Sequence, residues 1–285
     1  MKLILSRKGF DSAAGGVASP VLTDGTMISL PIPSKSSPIR YRDITIRGHS
    51  LGPLVSRLTR GKVKSEFNAH HDPDLEASAY RRQHGWRPLF GQADQSQKVL
   101  EREGVGPGDL FLFFGWFRRA EVLEESARFV KGAPDQHVIW GWMQIDHVWP
   151  VATAAIPSWA RYHPHVVGGD HLKRNTLYVA RHKLVVPGLD VDLPGSGVFE
   201  VHDERLVLTS KGASRSLWDL PAWFEPREGR PALGYHEDPS RWTRSHDRVR
   251  LQSVARGQEF VLDMTKYPEA ISWLGTILLG DQHRA

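Results

Sequence analysis

The sequence predicts a mixed α+β fold: one domain with a mostly antiparallel β core, a barrel or curled sheet, and peripheral helices. Three observations carry this. Two aromatic and β-branched runs, 110–117 (LFLFFGWF) and 137–147 (HVIWGWMQIDH), each follow turn residues, as strands do. Neither alternates strictly with period two, so both of their faces are expected to be covered. Helical signals are few and short. Proline and glycine are spread evenly, without repeat or linker, which favours one continuous unit over 1–285 with 104–150 in its β core.

The chain opens with a strand over 2–6. It feeds a charged loop bearing Arg7, Lys8 and Asp11, followed by Gly15 and Gly16. A buried strand ending in such a loop is where α/β proteins place ligand groups. Asp24-Gly25 between apolar residues signals a hairpin turn, and Pro31 and Pro33 bar a central strand beyond it. Residues 50–64 read as a short helix running into the basic positions Arg57, Arg60, Lys62 and Lys64, expected on the rim of the binding face. A helical stretch over 95–102 precedes a turn at 104–109. Between the two long strands, 121–131 reads as a third strand or a short helix. Residues 175–181 and 197–209 read as strands, the second a hairpin turning at Asp203-Glu204. Residues 216–224 (SLWDLPAWF) read as an aromatic plug, and 249–255 with 258–263 as a terminal hairpin. The last element is a helix over 268–279, with Pro268 in its first turn and Gly280 behind it.

Composition narrows the function classes. Apolar residues at 40% and charged residues at 24% exclude collagen-like, coiled-coil and disordered chains. No run of about 18 apolar residues exists, so neither a membrane span nor a membrane partner is expected. MKLILSRKGF has too short an apolar stretch before charge returns, so no signal peptide is expected there. With no cysteine there is no disulfide framework and no thiolate zinc site, and a cytoplasmic protein is expected. The net charge of +5 permits a nucleic-acid partner without demanding one, since enzymes of anionic small molecules share it.

Common hydrolase, kinase and dinucleotide signatures are absent. The densest cluster of candidate ligands is His70, His71, Asp72 and Asp74. Two imidazoles and two carboxylates there can hold a divalent metal through His71 and Asp72, with His236 or His163 and His165 completing the sphere. The competing reading is a surface turn, because Asp72-Pro73-Asp74 is good turn chemistry. Arg7 and Lys8 can hold phosphate while Asp11 acts as a base, against a plain solvated loop. Trp140 and Trp142 share one strand face, with Trp116 on the neighbouring run. Core packing competes there with the wall of a base pocket.

The Gly108-Asp109 turn entering an apolar strand, then HVIWGWMQI with its central glycine, resembles the PUA-like (EVE, ASCH and YTH) barrel domains over about forty residues. That likeness implies nucleic-acid binding. A wider resemblance runs through SRKGFDS, SLPIPS, HDPDL, Phe90-Gly91-Gln92, GDLFLFFGWF, NTLYVA, SLWDLPAWF, Gly234-Tyr235-His236 and GQEFVLD. Together these resemble the nucleotide-modification-associated domain of the third type, a family linked by gene context to phage and bacterial DNA-modification systems. The resemblance implies a nucleic-acid or nucleotide partner and supplies no mechanism.

Two functions are therefore expected. One is an enzyme modifying a nucleobase or nucleotide, with Asp11, His71, Asp72, Asp74 and His236 as acid, base or proton shuttle. Arg7 and Lys8 would face phosphate, Trp116 and Trp142 would stack the base, and Gln92, Gln144 and Asn175 would read it. The other is a non-catalytic reader of modified DNA or RNA. Carboxylates and a histidine lining one pocket favour the enzyme; an aromatic pocket with amide readers favours the reader.

Overall fold

The computed structural model describes residues 1–123, 125–169 and 171–280. In chain order the strands are β1 (Lys2–Arg7), β2 (Ser19–Val21), β3 (Thr45–Ile46), β4 (His49–Ser50), β5 (Leu89–Gln92), β6 (Leu110–Val122) and β7 (Ala127–Phe129). They continue with β8 (Gln136–Pro150), β9 (Thr176–Ala180), β10 (Ser196–Val198), β11 (Leu217–Pro221), β12 (Trp242–Ser245), β13 (Arg248–Gln252) and β14 (Glu259–Asp263). The helices are α1 (Leu51–Leu58), α2 (Asp94–Arg102) and α3 (Glu269–Leu279). Among the described residues no helix is long and apolar enough to cross a membrane.

The two long aromatic runs become the centre of the main sheet. β6 and β8 pair antiparallel, with the register shifting at Phe113/Phe114. Both are covered on both faces over 110–114 and 137–145, as their unbroken apolar runs require. The sheet order is β14-β1-β6-β8-β9-β5, with β2 and β7 on the far half of β6 and β10 on β8. β1 and β2 run parallel to β6, while the other pairs in this sheet are antiparallel. A separate three-stranded sheet, β11-β13-β12, closes over one end of the core.

The sheet is open, so the closed PUA-like barrel is not the architecture. It does curl. Its outermost strands, β5 and β14, share no backbone ladder. Nevertheless the Gln92 amide at the end of β5 donates to the Glu259 carboxylate at the start of β14 across 2.5 Å. A second core of extended segments, with Phe10, Ile28, Leu30 and Tyr41, packs under α1 beside the far half of β6. From it, residues 68–74 run back towards β5. Ala69 bridges Pro33, and Asp74 exchanges backbone hydrogen bonds with Leu89.

Several local expectations change. Of the two readings of 121–131 the strand holds: 121–122 end β6 and 127–129 form β7. The hairpin at Asp203-Glu204 does not form: the Asp203 carboxylate accepts the Arg205 N–H and caps a 3-10 turn instead. The two strands of the terminal hairpin exist but do not pair. β13 lies between β11 and β12, and β14 pairs with β1, so Gly257 (φ +104°) turns the chain from one sheet to the other. The aromatic plug is β11 followed by a 3-10 turn, with Trp218 fully buried against Phe114 and Phe260.

Candidate functional site

The curl leaves an open cleft of about 560 Å³ where the ends of β1 and β5 approach the start of β14. β1 delivers Arg7 and Lys8, β5 delivers Gln92 and leads into α2, and the 254–258 turn forms the opposite wall. The segment entering from the second core adds His70 and Asp72 to the floor, and His165 joins them from a separate loop.

Extended chain alternates its side chains, so His70 and Asp72 face one way and His71 the other. His71, offered by the sequence as the partner of Asp72, sits instead against Asp74, with 3.1 Å between Nε2 and Oδ1. Asp74 is fully buried and receives both guanidinium nitrogens of Arg82 at 2.6 Å, plus the Tyr162 hydroxyl. Burial would raise the Asp74 pKa, but His71 and Arg82 outweigh it and hold the carboxyl well below its usual range. Neither His71 nor Asp74 lines the cleft. They anchor the segment that carries the residues which do.

Asp72 is the centre of the floor. Its Oδ1 accepts the Gly91 N–H at 2.8 Å. His163 Nε2 lies 3.3 Å from the same oxygen, off the hydrogen-bonding direction. Oδ2 lies 3.7 Å from His165 Nε2 and 3.8 Å from His70 Nε2. Burial opposes ionisation of Asp72, yet the facing His163, with His165 and His70, brings its pKa down to about 2. Burial lowers the His70 pKa to about 4 against the pull of Asp72, and lowers that of His165 as well. At neutral pH the cluster is thus an ionised carboxylate beside two neutral imidazoles, which can accept protons or coordinate a metal. His165 fits only because residue 91 is glycine: a Cβ there would come within 2.2 Å of the ring.

The other predicted residues divide. Arg7 lines the cleft and holds its far wall, donating to the Val254 and Ala255 carbonyls at 2.8 Å and lying over the Phe114 and Phe260 rings. Lys8 lines it while pairing with buried Glu259 at 2.9 Å. Asp11 lines it too, its carboxylate accepting the Ala13 and Ala14 N–H groups at 2.7 and 2.6 Å. The first-strand loop and the HDPDL segment therefore meet, through Asp11 and Asp72. Asn175 stands behind the floor, its Oδ1 2.6 Å from His165 Nδ1.

Four predicted residues are placed elsewhere. Gln144 is buried among backbone groups, donating to Gly108 and Val185 carbonyls and accepting the Val185 N–H. Trp142 packs on Phe199 and donates to the Pro194 carbonyl, so core packing prevails there. Trp116 donates to Asp135 and is covered by Arg215, 4.0 Å from its ring. His236 is fully buried: Nδ1 faces the Leu233 and Gly234 carbonyls, and Nε2 accepts the Val254 N–H at 3.2 Å. Arg57, Arg60, Lys62 and Lys64 do not line the cleft either, and Arg57 borders a separate groove with His49 and Leu54.

The His236 bonds give a pH prediction. Burial lowers its pKa to about 4 from 6.5, so the unfolded chain binds its proton more readily. The stabilisation from neutral His236 is complete above about pH 6.5 and is lost as pH falls towards 4. Buried His137 and His165 act in the same direction. Denaturant unfolding between pH 7 and 4 is expected to show stability falling by up to about 1.4 kcal/mol per unit for each such group. His236→Gln should flatten that slope, and an unchanged slope would contradict the assignment.

Sequence reasoning underrated His70 and missed Gly91, Arg256 and Glu259. Alternation along 70–74 is the signal that pairs His70 with Asp72. No curated protein and no solved structure matches the chain. A family model does, over residues 2–263, and the chain belongs to the family described as nucleotide modification associated domain 3.

Proposed function

We propose that this protein is an enzyme that modifies a nucleobase or nucleotide, with its chemistry at Asp72, His70 and His165. The observation that carries the reading is the convergence of one carboxylate and two imidazoles on the floor of a cleft that Arg7, Lys8, Asp11 and Gln92 also line. Proton transfer needs such groups within reach of one substrate, and imidazoles unprotonated at neutral pH keep a lone pair free for a proton or a metal ion. The non-catalytic reader is less well supported: no Phe, Tyr or Trp is among the cleft-lining residues, so the aromatic cage expected of a reader has no counterpart here.

Arg256 and the first turn of α2, with Gln95 and Ser96, border the same cleft. A helix N-terminus offers amide donors without intrahelical partners, and these favour a phosphate. Gln92 lines the cleft with its amide held by Glu259 and its oxygen accepting the Ala93 N–H, so it shapes the wall. Equilibrium titration with nucleoside mono- and triphosphates and with short oligonucleotides tests the reading. Arg256→Ala is expected to weaken binding about tenfold or more without changing the unfolding midpoint. A polymer substrate would add a salt slope of roughly 0.7–0.9 per phosphate contact. Absence of binding to any nucleotide or oligonucleotide would contradict the proposal.

A further inference from the structure

We infer that His70, Asp72 and His165 form a binding site for one divalent transition-metal ion. One ligand atom from each residue lies within 4.8 Å of the other two. Asp72 Oδ2 stands 3.8 Å from His70 Nε2 and 3.7 Å from His165 Nε2, too far for either imidazole to hydrogen-bond to it. An ion at about 2.0–2.2 Å from each atom would set them roughly 3.0–3.5 Å apart. The two Asp72–histidine distances then close by under about 1 Å, and the widest separation, at most 4.8 Å, by up to roughly 1.3–1.8 Å. Among the described residues no hydrogen bond engages Oδ2, whereas Oδ1 is held by the Gly91 N–H.

The supporting shell is the kind that metal ligands need. Asn175 Oδ1, 2.6 Å from His165 Nδ1, fixes the proton on that nitrogen and leaves the Nε2 lone pair towards Oδ2. The Asn175 amide is itself held by the His165 carbonyl at 2.6 Å. Two imidazoles and one carboxylate suit zinc, iron(II), cobalt or manganese better than magnesium or calcium. Three protein ligands leave positions for water or a substrate oxygen.

Charge gives an independent reason. Among the described residues the cleft is lined by the cationic side chains Arg7, Lys8 and Arg256 and by the carboxylates Asp11, Asp72 and Asp94. Among these an anionic substrate meets no surplus of positive charge, and a divalent ion would supply it. That last use of the ion rests on the function proposed above; its binding does not.

The test is titration of chelator-stripped protein with cobalt(II) and zinc(II), without nucleotide. Calorimetry is expected to give one ion per chain, cobalt to show visible absorption bands of nitrogen and oxygen ligation, and zinc to displace them. His70→Gln, at a part-exposed position, and Asp72→Asn should each weaken binding at least about tenfold. Asn175→Ala should weaken it about 10–100-fold by freeing the His165 ring. His147→Gln, at an exposed position outside the cleft, should bind as the parent does. Folded protein that binds no stoichiometric ion would overturn the site, as would His70→Gln and Asp72→Asn variants that bind cobalt like the parent. Nucleotide binding by the same stripped protein is read separately, so loss of the metal site and loss of the proposed function are distinguishable.

Discussion

Lys8→Met is expected to destabilise the protein by about 3–5 kcal/mol, because it leaves a buried carboxylate without its counter-charge. Glu259 is fully buried at the start of β14. Its Oε1 takes the Lys8 ammonium at 2.9 Å, the Gln92 amide at 2.5 Å and the Ser6 hydroxyl at 3.1 Å, and Oε2 has no partner among the described residues. This one carboxylate joins β1, β5 and β14, the strands whose ends frame the cleft. Adding Glu259→Gln to Lys8→Met removes the stranded charge while keeping an acceptor for Gln92. The double variant should recover a large part of the loss, giving a coupling well above experimental error in a double-mutant cycle. Denaturant unfolding measures it. A Lys8→Met variant within about 0.5 kcal/mol of the parent would show that the pair is solvated.

Arg82→Met should cost a similar amount, about 3–5 kcal/mol, for the same physical reason at a second place. Its guanidinium grips both oxygens of fully buried Asp74 at 2.6 Å and lies 4.2 Å from the Trp86 ring. Arg82→Lys keeps the charge but loses the two-pronged geometry, so it should recover only part of the stability. Asp74 is two residues from Asp72 and bonds to the backbone of Leu89 on β5. Loosening it should therefore disturb the floor of the cleft as well as the fold. Arg82→Met is expected to lower nucleotide affinity even at temperatures where the chain remains folded. Unchanged stability would contradict the role given to this buried network.

What the sequence made legible follows the range of the interactions. β1, β6, β8 and α3 were readable because an apolar run and a flanking turn specify an element locally. Their partners were not. Nothing in VRLQ or EFVLD says that β13 joins a three-stranded sheet while β14 reaches back to β1, since both runs offer equally good apolar faces. Between a barrel and a curled sheet the sequence leaves the choice open for a related reason: closure depends on whether the outer strands pair, and here side chains bridge them. In the site, Asp72, Arg7, Lys8, Asp11 and Gln92 were legible as polar groups in loops or at strand ends. His70 and His71 are adjacent, and only the alternation of an extended segment separates the one that faces Asp72 from the one that faces Asp74. Trp142 and Gln144 stand outside the cleft, and the sequence does not separate them because an aromatic run and a buried amide look the same in a core as in a pocket.

In the function proposed here, Asp72 stands at the working centre of an enzyme that alters nucleobases or nucleotides. Mass analysis of nucleosides and free nucleotides tests it most directly, from cells with the protein, without it, and with Asp72→Asn at equal levels. The expected result is a nucleoside or nucleotide species of altered mass that requires the protein and falls by about two to four orders of magnitude in the variant. An identical profile in all three, or full product formation by Asp72→Asn, would contradict the account.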